Sequence, residues 1–124
     1  MLYMTWAREW NALMIDTIAE EYEALGNKIN AFVVPVGRIW QQSRMLRPDL
    51  NLYAKDGSHH SPTGIYLAAC AFYTALTGDS PMDLAHRIFT DDLNGQRVYL
   101  NIQTKEDAQF CQSLTLKVMN DLLN

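Results

Sequence analysis

The sequence DGSHHSPTGIYLAACAFYTALTG, Asp56–Gly78, decides the fold. It begins as a polar turn and continues as a helix with a marked start and end. Ser61 is a preferred N-cap residue, and Pro62 follows at the first helical position, where its missing N–H costs nothing. Gly78 stands after the last apolar residue, where helices commonly end. Because almost every residue between these ends is apolar, we predict a helix that is buried on most sides and supports the turn rigidly.

The turn contains an Asp and a His separated by two residues. In a tight turn, this spacing brings the Asp56 carboxylate to the Nδ1 side of the His59 ring, which leaves Nε2 free to accept a proton. Such a pair forms two thirds of a hydrolytic triad. The same residues also fit a simple Asx turn, in which the carboxylate only accepts backbone N–H groups and the histidines have no function. The spacing alone favours the Asx turn, because Asp-x-x-His is a weak pattern.

The residues before this turn predict a strand, a helix and a second strand. The apolar run Leu2–Trp6 is predicted as a buried strand, a helix is predicted over Trp10–Leu25 with Gly26 and Asn27 ending it, and Ala31–Val34 is the second strand. A parallel pair with a helical crossover is the default for such a unit. Ligands bind beyond the carboxyl ends of parallel strands, which places Thr5, Trp6 and Gly37 near a site. Trp6 and Trp40 fit a substrate pocket and fit a core equally well.

The remaining elements are shorter, apart from a final helix. A capping signature, Thr104 followed by Asp107, predicts the start of that helix. The other predictions are a short helix over Gly37–Met45, a short helix at Ser80–Leu84, a loop over Thr90–Gly95, a strand at Val98–Leu100, and a core-facing stripe on the final helix formed by Phe110, Leu114, Val118 and Leu122.

Composition limits the classes of function. The 124 residues allow one domain, with 48% hydrophobic and 19% charged residues, as in ordinary globular proteins. The net charge is −4 and the basic residues are scattered, so we predict no nucleic-acid partner. No apolar stretch approaches the length of a membrane span, so no membrane partner is predicted. Cys70 and Cys111 lie in separate helical patterns without a Cys-x-x-Cys motif, which favours buried free thiols.

The run Leu52-Tyr53-x-x-Asp56-Gly57-Ser58-His59, followed by Ser61-Pro62-x-Gly64-x-Tyr66-Leu67-Ala68-Ala69, resembles the last conserved block of the SGNH (GDSL-type) hydrolases. Met4-Thr5-Trp6, and Pro35-Val36-Gly37 followed by Trp40, resemble one branch of that family. The resemblance implies that Asp56 and His59 are catalytic. Trp6, Gly37, Trp40 and His60 are predicted to bind substrate. His60 departs from the family pattern, which usually has Pro at this position. The implied fold is α/β, part of a flavodoxin-like three-layer α/β/α arrangement with a short parallel sheet and several helices.

The family's other catalytic blocks are not found in this sequence. They are the Gly-Asp-Ser motif with the nucleophilic serine, and the Gly and Asn of the oxyanion hole. Residues 1–124 are therefore expected to form a single domain that is the C-terminal portion of a hydrolase, beginning near its fourth strand. The implied substrates are esters of small molecules or glycans, no cofactor is implied, and the chain alone is expected to have negligible esterase activity.

Two alternatives belong to other classes of function. Asp56, His59 and His60 could form a metal-binding turn in a small binding protein, although no Cys or Glu nearby completes a ligand set. The chain could also be a non-catalytic interaction module that associates with itself through a bare edge of the sheet. The sequence does not indicate a cellular compartment.

Overall fold

The computed structural model describes residues 1–123 and has an α/β architecture with four α-helices. A parallel two-stranded sheet and an antiparallel two-stranded sheet accompany the helices. In chain order the elements are β1 (Leu2–Tyr3), α1 (Met14–Ile29), β2 (Val33–Val34), α2 (Val36–Leu46), α3 (Pro62–Thr77), a 3₁₀ turn (Pro81–Asp83), β3 (Arg87–Asp91), β4 (Arg97–Ile102) and α4 (Lys105–Leu123).

The predicted strand–helix–strand unit is confirmed, with shorter strands. β1 and β2 pair in parallel, with Leu2 opposite Val33 and Tyr3 opposite Val34. The contact continues past the strands, because Met4 N–H donates to the Val34 carbonyl at 3.1 Å. The end of β1 is therefore fixed beside the start of α2.

The predicted limits of α1 were wrong at both ends. The helix begins at Met14, and the preceding Trp10 and Leu13 are exposed. It continues through Gly26 to Ile29 and is followed by Asn30, whose φ of 52° is left-handed. Gly26 serves close packing instead of termination, because a Cβ at this position would lie 2.6 Å from the Val33 side chain.

The central helix α3 matches its prediction. Ser61 caps it by accepting the Gly64 N–H, Pro62 is its first residue, and Gly78 follows it with φ 76°. Its buried side chains face α2 and α4. Ile65 and Leu76 are exposed, so the helix is less completely buried than predicted. The buried residues of α3 are Gly64, Tyr66, Leu67, Ala68, Cys70 and Ala71.

The final helix α4 begins as predicted, with Thr104 Oγ1 accepting the Asp107 N–H at 3.0 Å. Leu114 and Val118 are buried in the core. Leu122 was wrongly assigned to the core stripe: it is 57% exposed and lines an open groove, because the last turn of the helix passes the edge of the core.

The predicted loop over Thr90–Gly95 begins too early, and the rest of it is the turn of a β-hairpin. Thr90 and Asp91 belong to β3, and the turn is confined to the residues between the strands. There the Asp92 carboxylate accepts the N–H groups of Asn94 and Gln96. Ladder bonding to β4 overrides the low strand propensity of Asp91.

Cys70 and Cys111 are both buried and free, as predicted. Burial raises the pKa of each thiol to about 12. None of the helices within residues 1–123 combines the length and the apolar character that a membrane span requires.

Candidate functional site

The two carboxylate oxygens of Asp56 have different partners. Oδ1 accepts the backbone N–H groups of Ser58 and His59, each at 2.9 Å, and this forms an Asx turn. Oδ2 lies 2.5 Å from His59 Nδ1. Both sets of contacts that the spacing predicts therefore occur in the same residue, since the Asx turn fixes the carboxylate that contacts the imidazole.

The contact with His59 sets the charge of Asp56. The hydrogen bond from the imidazole, together with the two backbone N–H groups, holds the pKa of the Asp56 carboxyl well below its usual value of 3.8. The carboxylate is therefore ionised at neutral pH and acts only as an acceptor, which requires the proton of a neutral His59 to lie on Nδ1. Nε2 is then the acceptor, on a side chain that is 79% exposed.

The backbone of the turn is held from both sides. Ala54 N–H donates to the His59 carbonyl at 2.8 Å, and Gly57 N–H donates to the Ala54 carbonyl at 3.0 Å. Gly57 has φ 64°, a conformation that a glycine adopts without strain, and its carbonyl accepts the Glu9 N–H. These bonds attach the turn to the segment between β1 and α1.

Trp6 supports the turn through its indole. Its Nε1–H donates to the Ser58 carbonyl at 2.9 Å. The ring stacks on Trp40 with a centroid distance of 4.2 Å and an interplanar angle of 3°. Trp40 is buried and packs against Gly64, where a Cβ would lie 2.5 Å from its ring. The stack therefore connects the end of β1 to the first turn of α3.

A cleft of about 340 Å³ lies beside the Asp–His pair. It brings together three of the predicted site residues, Trp6, His59 and His60. Thr5, which the strand ends also placed near a site, lines the cleft as well. The sequence did not identify Arg8, Met14 or Ile18, because Met14 and Ile18 have the spacing of a core-facing helix stripe and Arg8 belongs to no motif. The remaining lining residues are Thr5, Arg8, Met14, Ile18 and Ser58.

Gly37 and Trp40 lie outside this cleft and line a separate cavity of about 310 Å³. Gly37 is buried, and its N–H donates to the Met4 carbonyl at 3.1 Å. A Cβ at Gly37 would lie 2.1 Å from the Thr5 carbonyl oxygen. The structure thus gives Gly37 a packing role between β1 and α2, and its contact with substrate stays a prediction.

No serine hydroxyl in residues 1–123 hydrogen-bonds to a histidine ring. The hydroxyl of Ser61 is occupied, since it donates to the Asn51 carbonyl at 2.7 Å and accepts the Gly64 N–H at 3.1 Å. The described chain therefore contains a paired carboxylate and imidazole without a bonded nucleophile.

The two neighbouring histidines have different surroundings. His60 Nδ1 lies 3.3 Å from the Ser61 carbonyl, and its ring stands edge-on to Trp6. Across the described residues, no group of three or more His, Cys, Asp or Glu side chains is arranged to hold a metal ion. A metal site at the turn would thus have to find further ligands elsewhere.

Comparisons of the chain with protein-family models, with curated proteins and with solved structures give no match. The Asp56–His59 contact and the cleft beside it therefore carry the functional proposal.

Proposed function

We propose that this chain is the part of an SGNH-type serine ester hydrolase that carries the Asp–His half of the catalytic triad. The observation that carries the proposal is the contact of 2.5 Å between Asp56 Oδ2 and His59 Nδ1, on a ring whose other nitrogen is accessible. In the whole enzyme, the parallel pair β1–β2 belongs to the central sheet of a flavodoxin-like three-layer α/β/α arrangement, and further strands pair at its free edge.

The two residues divide the acid–base chemistry between them. His59 Nε2 removes the proton from a serine hydroxyl while the serine oxygen attacks the ester carbonyl, and the imidazolium then gives that proton to the leaving alcohol. Asp56 stays ionised throughout, keeps the Nδ1–H tautomer, and stabilises the imidazolium by its charge. A water molecule activated in the same way by Nε2 releases the acid from the serine.

The nucleophilic serine and the oxyanion hole come from a part of the hydrolase outside residues 1–124. The cleft at His59 would receive the substrate beside them. Its wall contains the indole of Trp6 and the side chains of Met14 and Ile18, which suit the apolar acyl group or the sugar face of an ester. The substrate class is therefore a small-molecule or glycan ester, and the acidic net charge argues against a nucleic acid.

The test compares this chain with a longer version that includes an upstream Gly-Asp-Ser motif. We expect the longer protein to hydrolyse an aryl acetate and to lose at least about 10³-fold in kcat/KM on His59→Ala. The matched control is His86→Ala, which removes a histidine side chain at the start of the hairpin, away from the Asp56 turn. The backbone carbonyl at position 86, which accepts the Gln103 N–H, is kept in this variant. That variant should retain its activity.

The isolated chain should show no hydrolysis above the buffer rate. Turnover of the aryl ester by the isolated chain at an enzymatic rate would contradict the proposal, and so would a longer, active enzyme that tolerates His59→Ala. One-to-one zinc binding by the isolated chain that is lost on His60→Ala would instead support a metal-binding turn.

A further inference from the structure

The hairpin strand β3 has a partner on one side only. In the described antiparallel sheet β3 pairs with β4 alone, and all five residues of β3 are exposed. β4 is attached to the body, because the Asn101 side-chain amide donates to the Pro62 carbonyl at 2.8 Å. The open edge at the outside of the hairpin is thus that of β3.

The backbone groups at this edge can be assigned from the bonds that flank the ladder. Asp92 N–H donates to the Gln96 carbonyl, and the His86 carbonyl accepts the Gln103 N–H, each at 2.8 Å. Even-numbered residues of β3 therefore direct their backbone groups toward β4, since these directions alternate along a strand. The odd-numbered residues Arg87, Phe89 and Asp91 direct their N–H and C=O groups outward, where another strand can pair.

The register confirms that β3 itself is regular. Ile88 lies opposite Asn101 and Phe89 lies opposite Tyr99, so the extra residue of the bulge is Leu100 on β4. A bulge interrupts further pairing at the strand that contains it, and natural sheets use bulges to protect their edges. β3 has no such protection in its five residues.

The charges along this edge complement those of an identical strand. The sequence Arg-Ile-Phe-Thr-Asp has a basic residue at one end, an acidic residue at the other and Phe89 in the middle. When a second copy is placed antiparallel about Phe89, each Arg87 lies opposite an Asp91, and both are outward-bonding positions. Opposite charges in such cross-strand pairs are favourable, whereas parallel pairing in register would place like charges together.

We propose that β3 pairs antiparallel with β3 of a second copy, which gives a symmetric dimer with a four-stranded sheet. Isolated two-stranded hairpins are marginal in water, and the added strands stabilise both hairpins. The bulge at Leu100 leaves an irregular outer edge on each β4, so that assembly stops at two chains. This dimer does not depend on the proposed hydrolase activity, which uses a different part of the chain.

A dimer held by one strand from each chain has a small interface of the weak class, below about 1,200 Å². Such an interface is expected to have a dissociation constant in the micromolar to millimolar range. We therefore propose sedimentation velocity on the full chain at concentrations from about 10 µM to about 1 mM. We expect a monomer at the low end of this range and a dimer at the high end. Phe89→Pro removes an N–H that points outward and leaves the β3–β4 ladder intact, so it should raise the dissociation constant at least about 10-fold.

Charge reversal tests the register. Arg87→Asp alone, and Asp91→Arg alone, each place two like-charge pairs in the dimer and should each give a monomer. An equimolar mixture of the two variants restores both opposite-charge pairs and should give a heterodimer. Lys117→Asp makes the same kind of charge change at an exposed position of α4, outside the hairpin, and should leave the dimer intact. Far-UV circular dichroism confirms that each variant is folded.

Several results would overturn the proposal. They are a monomer at every concentration, a dimer unaffected by Phe89→Pro, a mixture of the charge-reversed variants that remains monomeric, and growth beyond a dimer. A dimer that persists in Phe89→Pro would place the association elsewhere, for example at the free edge of the β1–β2 pair.

Discussion

Ser61→Ala tests whether the cap of α3 stabilises the domain to the extent that its contacts indicate. The hydroxyl of Ser61 is buried and makes two hydrogen bonds, one to the Asn51 carbonyl and one from the Gly64 N–H. Loss of an N-cap typically costs about 1 kcal/mol, and loss of a further buried hydrogen bond costs about 1 kcal/mol. We therefore expect the free energy of unfolding to fall by about 2 kcal/mol.

The measurement is urea unfolding followed by circular dichroism, with thermal unfolding as a second readout. A loss of that size lowers the melting temperature of a chain of this length by about 8 °C. Ser80→Ala is the matched control, because Ser80 caps only the short 3₁₀ turn and its bond from the Met82 N–H, at 3.3 Å, is exposed. It should cost about 0.5 kcal/mol or less. Equal losses in the two variants would refute the reasoning.

Three further predictions concern packing, charge and thiol reactivity. Gly37→Ala places a methyl group 2.1 Å from the Thr5 carbonyl oxygen, and we expect a loss of about 3 kcal/mol in urea unfolding. Gly78→Ala meets no atom within 4 Å and has only the strain of φ 76°, so it should cost about 1 kcal/mol. The chemical shift of the Asp56 carboxyl carbon, followed by NMR, should report a pKa below 3.8. The free energy of unfolding that this carboxylate contributes should be lost as the pH falls from about 4 through its folded pKa. The two buried thiols, with pKa values of about 12, should react with a disulfide reagent at pH 8 only after unfolding.

The sequence predicts α3 well because both of its end signals act locally. A cap depends on a side chain and a backbone N–H a few residues apart, and a terminal glycine depends on its own φ. The same reasoning failed at Gly26. A glycine followed by Asn27 is typical of a helix end, but Gly26 lies inside α1. There the decisive contact is with Val33, on the next strand, and a close approach of this kind leaves no local signal in the sequence.

The hairpin shows a second reason for failure. The polar residues from Thr90 to Gly95 have the composition of a loop, and the prediction assigned all of them to one. In the structure, the tight turn needs only the residues after Asp91, because the Asp92 carboxylate organises the turn by itself. Pairing with β4 therefore extends further than the turn residues suggest.

In the candidate site, too, contacts between residues close in sequence were predictable and contacts between distant residues were not. The Asp56–His59 contact joins residues three positions apart, so its geometry follows from the Asx turn and was predictable from spacing. The bond from Trp6 to the Ser58 carbonyl spans 52 positions, and only the fold brings its two ends together. Trp6 was expected to contact substrate, and it does line the cleft, but its hydrogen bond also makes it a support of the turn.

The double use of Asp56 explains why an exposed pair can have a fixed geometry. A carboxylate and an imidazole on a flexible surface would lose side-chain entropy in holding one arrangement, and such pairs contribute little. Here two backbone N–H groups already fix one oxygen of Asp56, and the bond from Trp6 fixes the peptide that bears one of them. The Asp56 side chain then has little freedom left to lose when His59 contacts its second oxygen. A proton acceptor needs this preorganisation if it is to act on a hydroxyl supplied from outside the turn.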